Sequence, residues 1–352
     1  MTKLTLTARA LAPLALVVGA CAVLSPIALA ATRGPSRNFN GPTGIAVGGG
    51  DVWVTNVSGN SVTEINLRSG RVVRVLSALD YGFNEPIAVA ASPTQVWVTN
   101  QSGSSITDLS AASGLALRVI TGDSLSGPAG IALGASKVWV ANQLHLTDSA
   151  GNSIPYSNAV TELNTNSGSL VRVVTGNPAN GLEGTNDVAV AHSRVWVTNA
   201  NSNTVTELSA ETGAVVRVIG AGAGHFDEPQ SVAVSSGRVW VPSANNNTLT
   251  EISAATGAVL RTLSSPTDHF DGPTDVAVAH SRVWVTNPYN NSLTEISATT
   301  GSVVRVISAK KYHFNTPTDV ALGDGSVWVT NQFTNTVTEL NATSGALVRV
   351  IH

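Results

Sequence analysis

The chain has 352 residues, of which 12% are charged, and its formal net charge is −3. No basic field exists that could hold a phosphate backbone, so nucleic acid is not a predicted partner. The length allows one large all-β domain or two ordinary domains, and the pattern along the chain has to decide between them.

The first element has the layout of a secretory signal peptide. Lys3 and Arg9 come before an apolar run, which ends in small residues up to Ala30. This order of basic, apolar and small residues is typical of a cleaved signal. We predict a signal peptide over residues 1–30 and a short linker over residues 31–36, which makes this an exported protein.

The single cysteine allows another interpretation of this segment. The letters VGAC at residues 18–21 are similar to a lipoprotein box, in which Cys21 would be an acylated anchor. Cleavage after Ala30 is favoured, because a lipoprotein usually continues with a polar tether and this chain stays apolar. We predict an extracellular or cell-surface protein. No transmembrane segment is expected after the signal, since no later run of about 18 apolar residues exists.

The rest of the chain is a repeat. Seven copies of the word VWVTN, or a close variant of it, use one tryptophan each, at spacings of 44, 42, 57, 44, 44 and 44 residues. A period of about 40 to 50 residues is typical of propellers and solenoids. It predicts a single domain over residues 37–352. The tryptophans are Trp53, Trp97, Trp139, Trp196, Trp240, Trp284 and Trp328.

The sixth copy, HFDGPTDVAVAHSRVWVTNPYNNSLTEISATTGSVVRVIS, illustrates one unit. Four short runs rich in Val, Ile and Thr are separated by Gly, Pro, Asn, Asp and Ser, without helical periodicity. We name the predicted strands A (DVAV), B (RVWVTN), C (SLTEIS) and D (SVVRVI). Seven units predict an all-β, seven-bladed β-propeller of four-stranded antiparallel blades. The blades start near Phe39, Phe83, Ser126, Leu182, Phe226, Phe270 and Phe314.

The tryptophan has a predicted structural role. Alternation along strand B places Val52 and Val54 on one face and Trp53 on the other. We therefore expect each Trp to wedge between neighbouring blades. Every unit runs from its own A strand to its own D strand, so ring closure is expected to depend on side-chain packing and not on an exchanged strand.

A second periodic feature joins an acid in strand C to an arginine ten residues later in strand D. A three-residue hairpin loop that closes at the intervening glycine would set the two side chains opposite each other. We predict seven structural salt bridges and no paired catalytic carboxylates. The pairs are Glu64 and Arg74, Asp108 and Arg118, Glu162 and Arg172, Glu207 and Arg217, Glu251 and Arg261, Glu295 and Arg305, and Glu339 and Arg349.

The copies differ on the face that carries the D–A and B–C loops, around the mouth of the central channel. Strand A begins with Asp187, Asp275 and Asp319 in blades four, six and seven, where the other blades have Gly, Ala or Ser. Carboxylates at a wide mouth suit a hard cation, Ca²⁺ or Mg²⁺. These residues are the candidate metal site, and no other cofactor is predicted. The alternative is that each Asp caps its own turn.

Candidate binding residues lie in the loops of the same face. His225, His269 and His313 are spaced 44 residues apart in the D–A loops. A shared Zn²⁺ is not expected, because its ligands lie about 2.0 to 2.1 Å from the ion and equivalent loops are farther apart. Blade three has an extra 12 residues in its B–C loop. Insertions of this kind often add specificity, and this one brings His145, Asp148 and Tyr156.

The repeated pattern, P-x-x-[IV]-A-[VL], VWVTN, N-x-[VL]-T-E-[IL] and G-x-[VL]-[VL]-R-V, resembles the NHL and YVTN-type propeller repeats of bacterial exported proteins. More distantly, it is similar to the blades of virginiamycin B (streptogramin) lyase. That likeness implies a His and glutamates with Mg²⁺ near the channel mouth, on a word of the type Trp-Phe-Thr-Glu. No catalytic residue can be assigned, because this chain has Asn or Ser in place of the acid: Asn56, Asn100, Asn142, Asn199, Ser243, Asn287 and Asn331.

These features favour a binding or interaction scaffold that uses the channel-mouth face. The B–C loops are rich in Asn, Thr and Ser, whose neutral hydrogen-bonding groups suit a protein, peptide or glycan. The Thr-Asn that ends VWVTN is expected to reach the rim of this face. The alternative is a divalent-cation-dependent enzyme of streptogramin lyase or lactonase type, and in either case we expect a monomer.

Overall fold

The structure is a computed structural model that describes residues 38–77, 80–122, 124–134, 136–143, 158–264, 266–308 and 310–352. The predicted signal peptide and linker lie outside these residues. The described residues form seven antiparallel sheets of four strands each, and the strands of every sheet follow one another in the chain. The predicted seven-bladed propeller is confirmed. Each blade is one continuous segment without an exchanged strand.

Strands A and B form the inner half of each blade. The A strands are β1 (Pro42–Gly48), β5 (Pro86–Ala91), β9 (Pro128–Gly134), β13 (Thr185–Ala191), β17 (Ala233–Ser235), β21 (Val276–Ala279) and β25 (Pro317–Gly323). The B strands are β2 (Asp51–Asn56), β6 (Gln95–Asn100), β10 (Lys137–Asn142), β14 (Arg194–Asn199), β18 (Arg238–Ser243), β22 (Arg282–Asn287) and β26 (Ser326–Asn331).

Strands C and D form the outer half. The C strands are β3 (Ser61–Asn66), β7 (Ser105–Ser110), β11 (Ala159–Asn164), β15 (Thr204–Ser209), β19 (Thr248–Ser253), β23 (Ser292–Ser297) and β27 (Thr336–Asn341). The D strands are β4 (Val72–Ser77), β8 (Ala116–Thr121), β12 (Leu170–Thr175), β16 (Val215–Ile219), β20 (Val259–Leu263), β24 (Val303–Ile307) and β28 (Leu347–Ile351).

The helical elements with bounds among the described residues are short turns in three D–A loops. They are the α-helical turn α1 (Ala221–Gly224) and the 3-10 turns Pro266–Asp268 and Lys310–Tyr312. No helix among the described residues is long and apolar enough to cross a membrane. The loops of the channel-mouth face therefore rest on a scaffold made of strands.

The tryptophans pack between blades, as predicted. All seven side chains are buried, and each belongs to a hydrophobic cluster with strands of the following blade. Trp53 packs against Val96 and Val98 of blade two. Trp328 packs in the same way against Val52 and Val54 of blade one. Blade seven therefore closes onto blade one by side-chain packing. Truncating one of these side chains to Ala should cost about 3 to 5 kcal/mol.

The acid–arginine pairs are also confirmed. Strand pairing sets Glu64 opposite Arg74 and Glu295 opposite Arg305. The Nε–Oε2 distances are 2.7 and 2.6 Å in these two pairs, and all seven pairs form an ion pair. The carboxylates are buried. The arginines keep about a quarter to a third of their side chains exposed.

The arginines also join neighbouring blades, which the sequence pattern did not reveal. The guanidinium of Arg305 donates to the carbonyl of Thr343 in the C–D turn of blade seven, at 3.0 Å. Arg349 donates to Ser69 of blade one and so repeats the contact at ring closure. The turn glycine explains the close approach. Gly345 has a φ of 68°, and a Cβ there would clash with Arg305.

Blades three to six supply a second cation to the buried acid. Lys137, Arg194, Arg238 and Arg282 at the start of strand B lie within ion-pair distance of the C-strand glutamate. Blade one has Asp51 at this position. Burial raises the pKa of Glu64 to about 7, with Arg74 opposing the shift and Asp51 adding to it. Glu64 therefore depends on one arginine alone.

We expect Arg74→Met to destabilise the protein more than Arg305→Met, because Glu295 keeps Arg282 at 3.3 Å and Glu64 keeps no cation. The folded state already favours protonated Glu64, so ionising it costs stability as the pH rises from about 4.5 to about 7. The free energy of unfolding of Arg74→Met should fall by about 3 kcal/mol at pH 8 and by clearly less at pH 5.5. Urea unfolding at both pH values measures this. Equal losses for the two variants would contradict it.

Candidate functional site

The mouth of the central channel is a cavity of about 200 Å³, lined by two consecutive residues near the start of each A strand. The first residue of each pair is Thr43, Ile87, Ala129, Asn186, Gln230, Thr274 or Thr318. The second is Gly44, Ala88, Gly130, Asp187, Ser231, Asp275 or Asp319. The second set is the series that sequence comparison of the blades placed at the channel mouth.

The lining is chemically asymmetric. Blades two and three contribute only Ile, Ala and Gly, while blades four to seven contribute only polar or acidic residues. The two halves are adapted to each other at Gly130, where a Cβ would clash with Asp187. The channel therefore has an apolar wall facing a wall with three carboxyl groups.

The three aspartates bridge neighbouring blades. Each carboxylate accepts a backbone N–H from the A-strand region of the next blade, so the prediction that each Asp only caps its own turn is incomplete. Asp319 also accepts the N–H of Val320 in its own blade at 2.7 Å. The bonds between blades are Val232 N–H to Asp187 at 3.0 Å, Val320 N–H to Asp275 at 2.9 Å and Ile45 N–H to Asp319 at 2.9 Å.

Burial and the carboxyl of Asp275 raise the pKa values of two of the channel aspartates. Burial raises the pKa of Asp187 to about 6, and the neighbouring carboxyl of Asp275 adds to the shift. Burial and then Asp275 likewise raise the pKa of Asp319 well above its ordinary value. Two carboxyl groups that share a confined site favour retention of a proton. A positively charged group beside these aspartates would therefore stabilise their ionised form.

The metal hypothesis receives no geometric support from the described residues. Among them, no group of three or more His, Cys, Asp or Glu side chains is arranged so that it could hold a metal ion. The three aspartates instead direct carboxylate oxygens at backbone amides. A Ca²⁺ or Mg²⁺ site at Asp187, Asp275 and Asp319 stays a prediction.

The Thr-Asn that ends VWVTN does not reach the rim, contrary to our expectation. Both side chains are fully buried wherever the pair occurs. Asn100 donates to Thr107 at 3.0 Å, and Thr107 donates to the carbonyl of Tyr81 at 2.7 Å. The amide therefore fixes the D–A loop from inside. The Thr joins blades, since Thr330 donates to the carbonyl of Thr43 at 2.8 Å.

The last polar residue of each B–C loop has a structural role as well. Its side-chain oxygen accepts an N–H from the segment that leads into strand A of the next blade. The distance is 2.7 Å between Asn291 and Thr316 and also between Asn335 and Gly41. Both Asn residues have positive φ. Part of the neutral polar surface that we assigned to ligand binding is therefore used between blades.

Amide side chains link the channel mouths of blades two to five. Gln101 donates to Gln143 and Gln143 donates to Asn186, both at 3.0 Å. Asn186 then donates to the carbonyl of Gln230 at 2.7 Å. This chain of amides borders the channel where its lining changes from apolar to polar. It was not predicted, because each bond joins two different repeats.

The three histidines are exposed on the D–A loops, as a binding role requires. They have φ values of 53° for His225, 57° for His269 and 57° for His313. Gly82 and Gly181 occupy the equivalent left-handed positions in the loops before blades two and four. A side chain in this conformation costs about 1 kcal/mol relative to glycine. Their role in binding stays a prediction.

Two exposed aromatic side chains stand out on the same face, and sequence reasoning missed them. Tyr289 is 76% exposed and Phe333 is 71% exposed, the highest values among the large hydrophobic residues described. They occupy one position of the B–C loop in blades six and seven. Aligned copies have Ser58, Ser102 and, in later blades, Asn at this position. Comparing the loops copy by copy would have found them.

The predicted insertion in blade three lies outside the described residues. His145, Asp148 and Tyr156 all fall between residues 144 and 157. Their contribution to the channel-mouth face stays a prediction. The site described here is therefore formed by the channel, the D–A loops and the B–C loops of the other blades.

The fold and site together define a seven-bladed β-propeller with an asymmetric, acidic channel mouth. No protein-family model and no curated protein matches the sequence. Solved structures do match. A streptogramin B lyase has a TM-score of 0.65 at 20% identity, over 83% of this chain and 91% of the lyase chain. Virginiamycin B lyase from Staphylococcus aureus has 0.64 at 17% identity, over 83% and 92%.

Hydrazine synthase from Kuenenia stuttgartiensis is similar too, with a TM-score of 0.71 at 16% identity, over 87% of this chain and 96% of that chain. Proteins with such different activities share the scaffold, so these likenesses concern the fold alone. They agree with the resemblance to lyase-type propellers drawn from the repeat pattern. The site has to be interpreted from its own residues.

We expect Asp187→Asn to stabilise the protein above pH 6. The native pKa of Asp187 exceeds the unfolded value, so the wild type loses stability as the pH rises from about 4 to about 6. Asn removes this loss and can still accept the N–H of Val232. The gain should be on the order of 2 kcal/mol at pH 7.5, measured by urea unfolding. Asp324→Asn, in an exposed A–B turn, is the control. A variant no more stable than wild type would contradict the expectation.

Proposed function

We propose that this is an exported binding protein, a monomer that holds a protein, peptide or glycan at its channel-mouth face. The observation that supports this most directly is the aromatic pair Tyr289 and Phe333. Exposed aromatic side chains are disfavoured on a surface that only meets water, and Tyr and Phe are enriched in binding interfaces. Here they replace Ser or Asn at one loop position of two adjacent blades.

The distribution of the repeated residues supports the same proposal. The Trp, Arg and Thr series contact a neighbouring blade, and the Asn series fixes the D–A loop of its own blade, so the repeat accounts for folding. The groups that break the repeat lie together on the channel-mouth face. They are the aromatic pair, the three channel aspartates and the loop histidines. A rigid ring that carries variable groups on one face is well suited to recognition.

The alternative is a divalent-cation-dependent enzyme of streptogramin lyase or lactonase type. Its support is the shared fold, which hosts unrelated activities. Where the lyase-like blade has a glutamate, this chain has a buried Asn that fixes a loop. We therefore rank binding above catalysis.

Binding to peptide and glycan arrays tests the proposal. The double variant Tyr289→Ser/Phe333→Ser introduces the residue of blades one and two and should retain the fold. We expect it to lose about tenfold or more in affinity for any wild-type ligand, because aromatic anchors dominate interfaces. Leu170→Ser is the matched control, since Leu170 is 53% exposed on the outer strand of blade three.

An unchanged array profile for the aromatic double variant would contradict the proposal. So would equal losses in Leu170→Ser. Running the arrays with Ca²⁺ and with a chelator tests the cation hypothesis separately. Dependence on the cation would favour the alternative of a metal-dependent site.

A further inference from the structure

We propose that the partner at this face is a cationic polypeptide, and that one of its Lys or Arg side chains enters the mouth of the central channel. The inference rests on the proposed function and specifies the class of ligand. Three observations carry it: the charge of the face, the shape and lining of the channel, and the position of the aromatic pair.

The channel-mouth face has a large excess of acidic residues. In the described parts of the D–A loops, the B–C loops and the channel lining there are ten acidic residues and two lysines, Lys310 and Lys311. The net charge of the whole chain, −3, conceals this concentration. The acids are Asp80, Glu85, Glu183, Asp187, Asp227, Glu228, Asp268, Asp271, Asp275 and Asp319.

Several of the acids lie near the channel, and the lysines do not. Asp227, Glu228 and Asp271 come a few residues before the channel lining of blades five and six. Lys310 and Lys311 belong to the turn that ends at Tyr312, whose hydroxyl donates to Gly345 in the C–D turn of the outer strands. A field of one sign around a cleft attracts ligands of the opposite sign. An anionic partner would be repelled here.

The cavity at the channel mouth is of a size that suits a single side chain. Its volume is about 200 Å³, below the range of roughly 300 to 1,000 Å³ that is typical of small-molecule sites. Lys and Arg combine an aliphatic stem with a charged head. The wall of Ile87, Ala88 and Ala129 suits the stem, and the wall of aspartates suits the head.

The aspartates can accept a cation without breaking the ring. Each ionised carboxylate offers about four acceptor positions, and those of Asp187, Asp275 and Asp319 accept one or two backbone N–H groups and, at Asp275, the hydroxyl of Ser231. Asp275 and Asp319 are also hydrogen-bonded to each other, and a cationic donor that enters the channel would replace this contact between the two carboxyls. A guanidinium or ammonium group would offset the repulsion between these neighbouring carboxylates.

The aromatic pair extends this site toward the surface. Tyr289 stands beside the acidic D–A loop of blade six, where its backbone N–H donates to Asp271 and its ring lies against Gly272. Phe333 occupies the same position in blade seven. Aromatic faces also attract Arg and Lys. Residues that flank the inserted side chain would therefore meet a surface of aromatic and acidic groups.

The test uses three labelled peptides that alternate Gly with Arg, Gln or Glu, with fluorescence anisotropy as the readout. We expect the Gly-Arg peptide to bind at low salt about tenfold or more tightly than the Gly-Gln peptide, and the Gly-Glu peptide not to bind. Raising the salt should weaken the Gly-Arg complex, because exposed charges are screened. Absence of Gly-Arg binding at low salt would overturn the inference.

Variants locate the contact. Asp275→Asn/Asp319→Asn removes two of the three channel carboxyls, and Asp227→Asn/Glu228→Gln removes two acids of the rim without touching the channel lining. We expect each to weaken Gly-Arg binding about three- to tenfold, and Asp324→Asn on the opposite face to leave it unchanged. The rim variant keeps the test decisive if the channel variant unfolds. Unchanged Gly-Arg affinity in both double variants would also overturn the inference.

The two proposals fail in different ways. If array ligands depend on Tyr289 and Phe333 but are neutral and insensitive to the acid variants, the binding function stands and the cationic partner is wrong. If the Gly-Arg peptide binds equally well to wild type and to the aromatic double variant, and array ligands are also unaffected, the proposed function itself is wrong.

Discussion

The contact between one blade and the next is the constraint on which the rest of the molecule depends. A ring closes only when the seventh interface can be made with the same groups as the other six. Trp328 packs on blade one as Trp53 packs on blade two, and Arg349 donates to Ser69 as Arg305 donates to Thr343. Since each interface needs the same groups, the sequence has to repeat the same motifs at nearly the same spacing.

Buried charge is the second consequence of this construction. The Arg of strand D has to lie near the surface to bridge two blades, and the acid that orients it is covered by the neighbouring sheet. Removing a carboxylate from water costs several kcal/mol, which an adjacent guanidinium offsets only in part. The pKa of Asp108 is raised to about 7, mainly by burial. These seven acids serve the scaffold, and most of the other acidic residues that the structure describes lie at the channel and its rim.

The repeat predicted the fold, the Trp wedge and the acid–arginine pairs, because each of these follows from patterns inside one unit. It failed where a residue's partner lies in the next unit. It also failed for Asn56 and its equivalents, which looked like rim residues because they end a strand; they face inward and, through bonds within their own unit, fix the loop that enters the blade. Asp187 was predicted as a turn cap or a metal ligand; the structure adds a bond to the N–H of Val232, 45 residues away, and the metal site stays a prediction. The aromatic pair escaped notice because loop positions were not compared across copies.

A residue that contacts no neighbouring blade can be substituted on its own. A residue that contacts a neighbouring blade can be substituted only together with its partner. Tyr289 and Phe333 belong to the first kind, since other blades have Ser or Asn there without loss of the loop. Asp187 belongs to the second, because it fits only while blade three keeps Gly130 opposite it. The aspartate of blade four and the glycine of blade three therefore have to change together. For the same reason the apolar wall and the acidic wall of the channel depend on each other. A ligand that contacts both walls would recognise blades three and four as a unit.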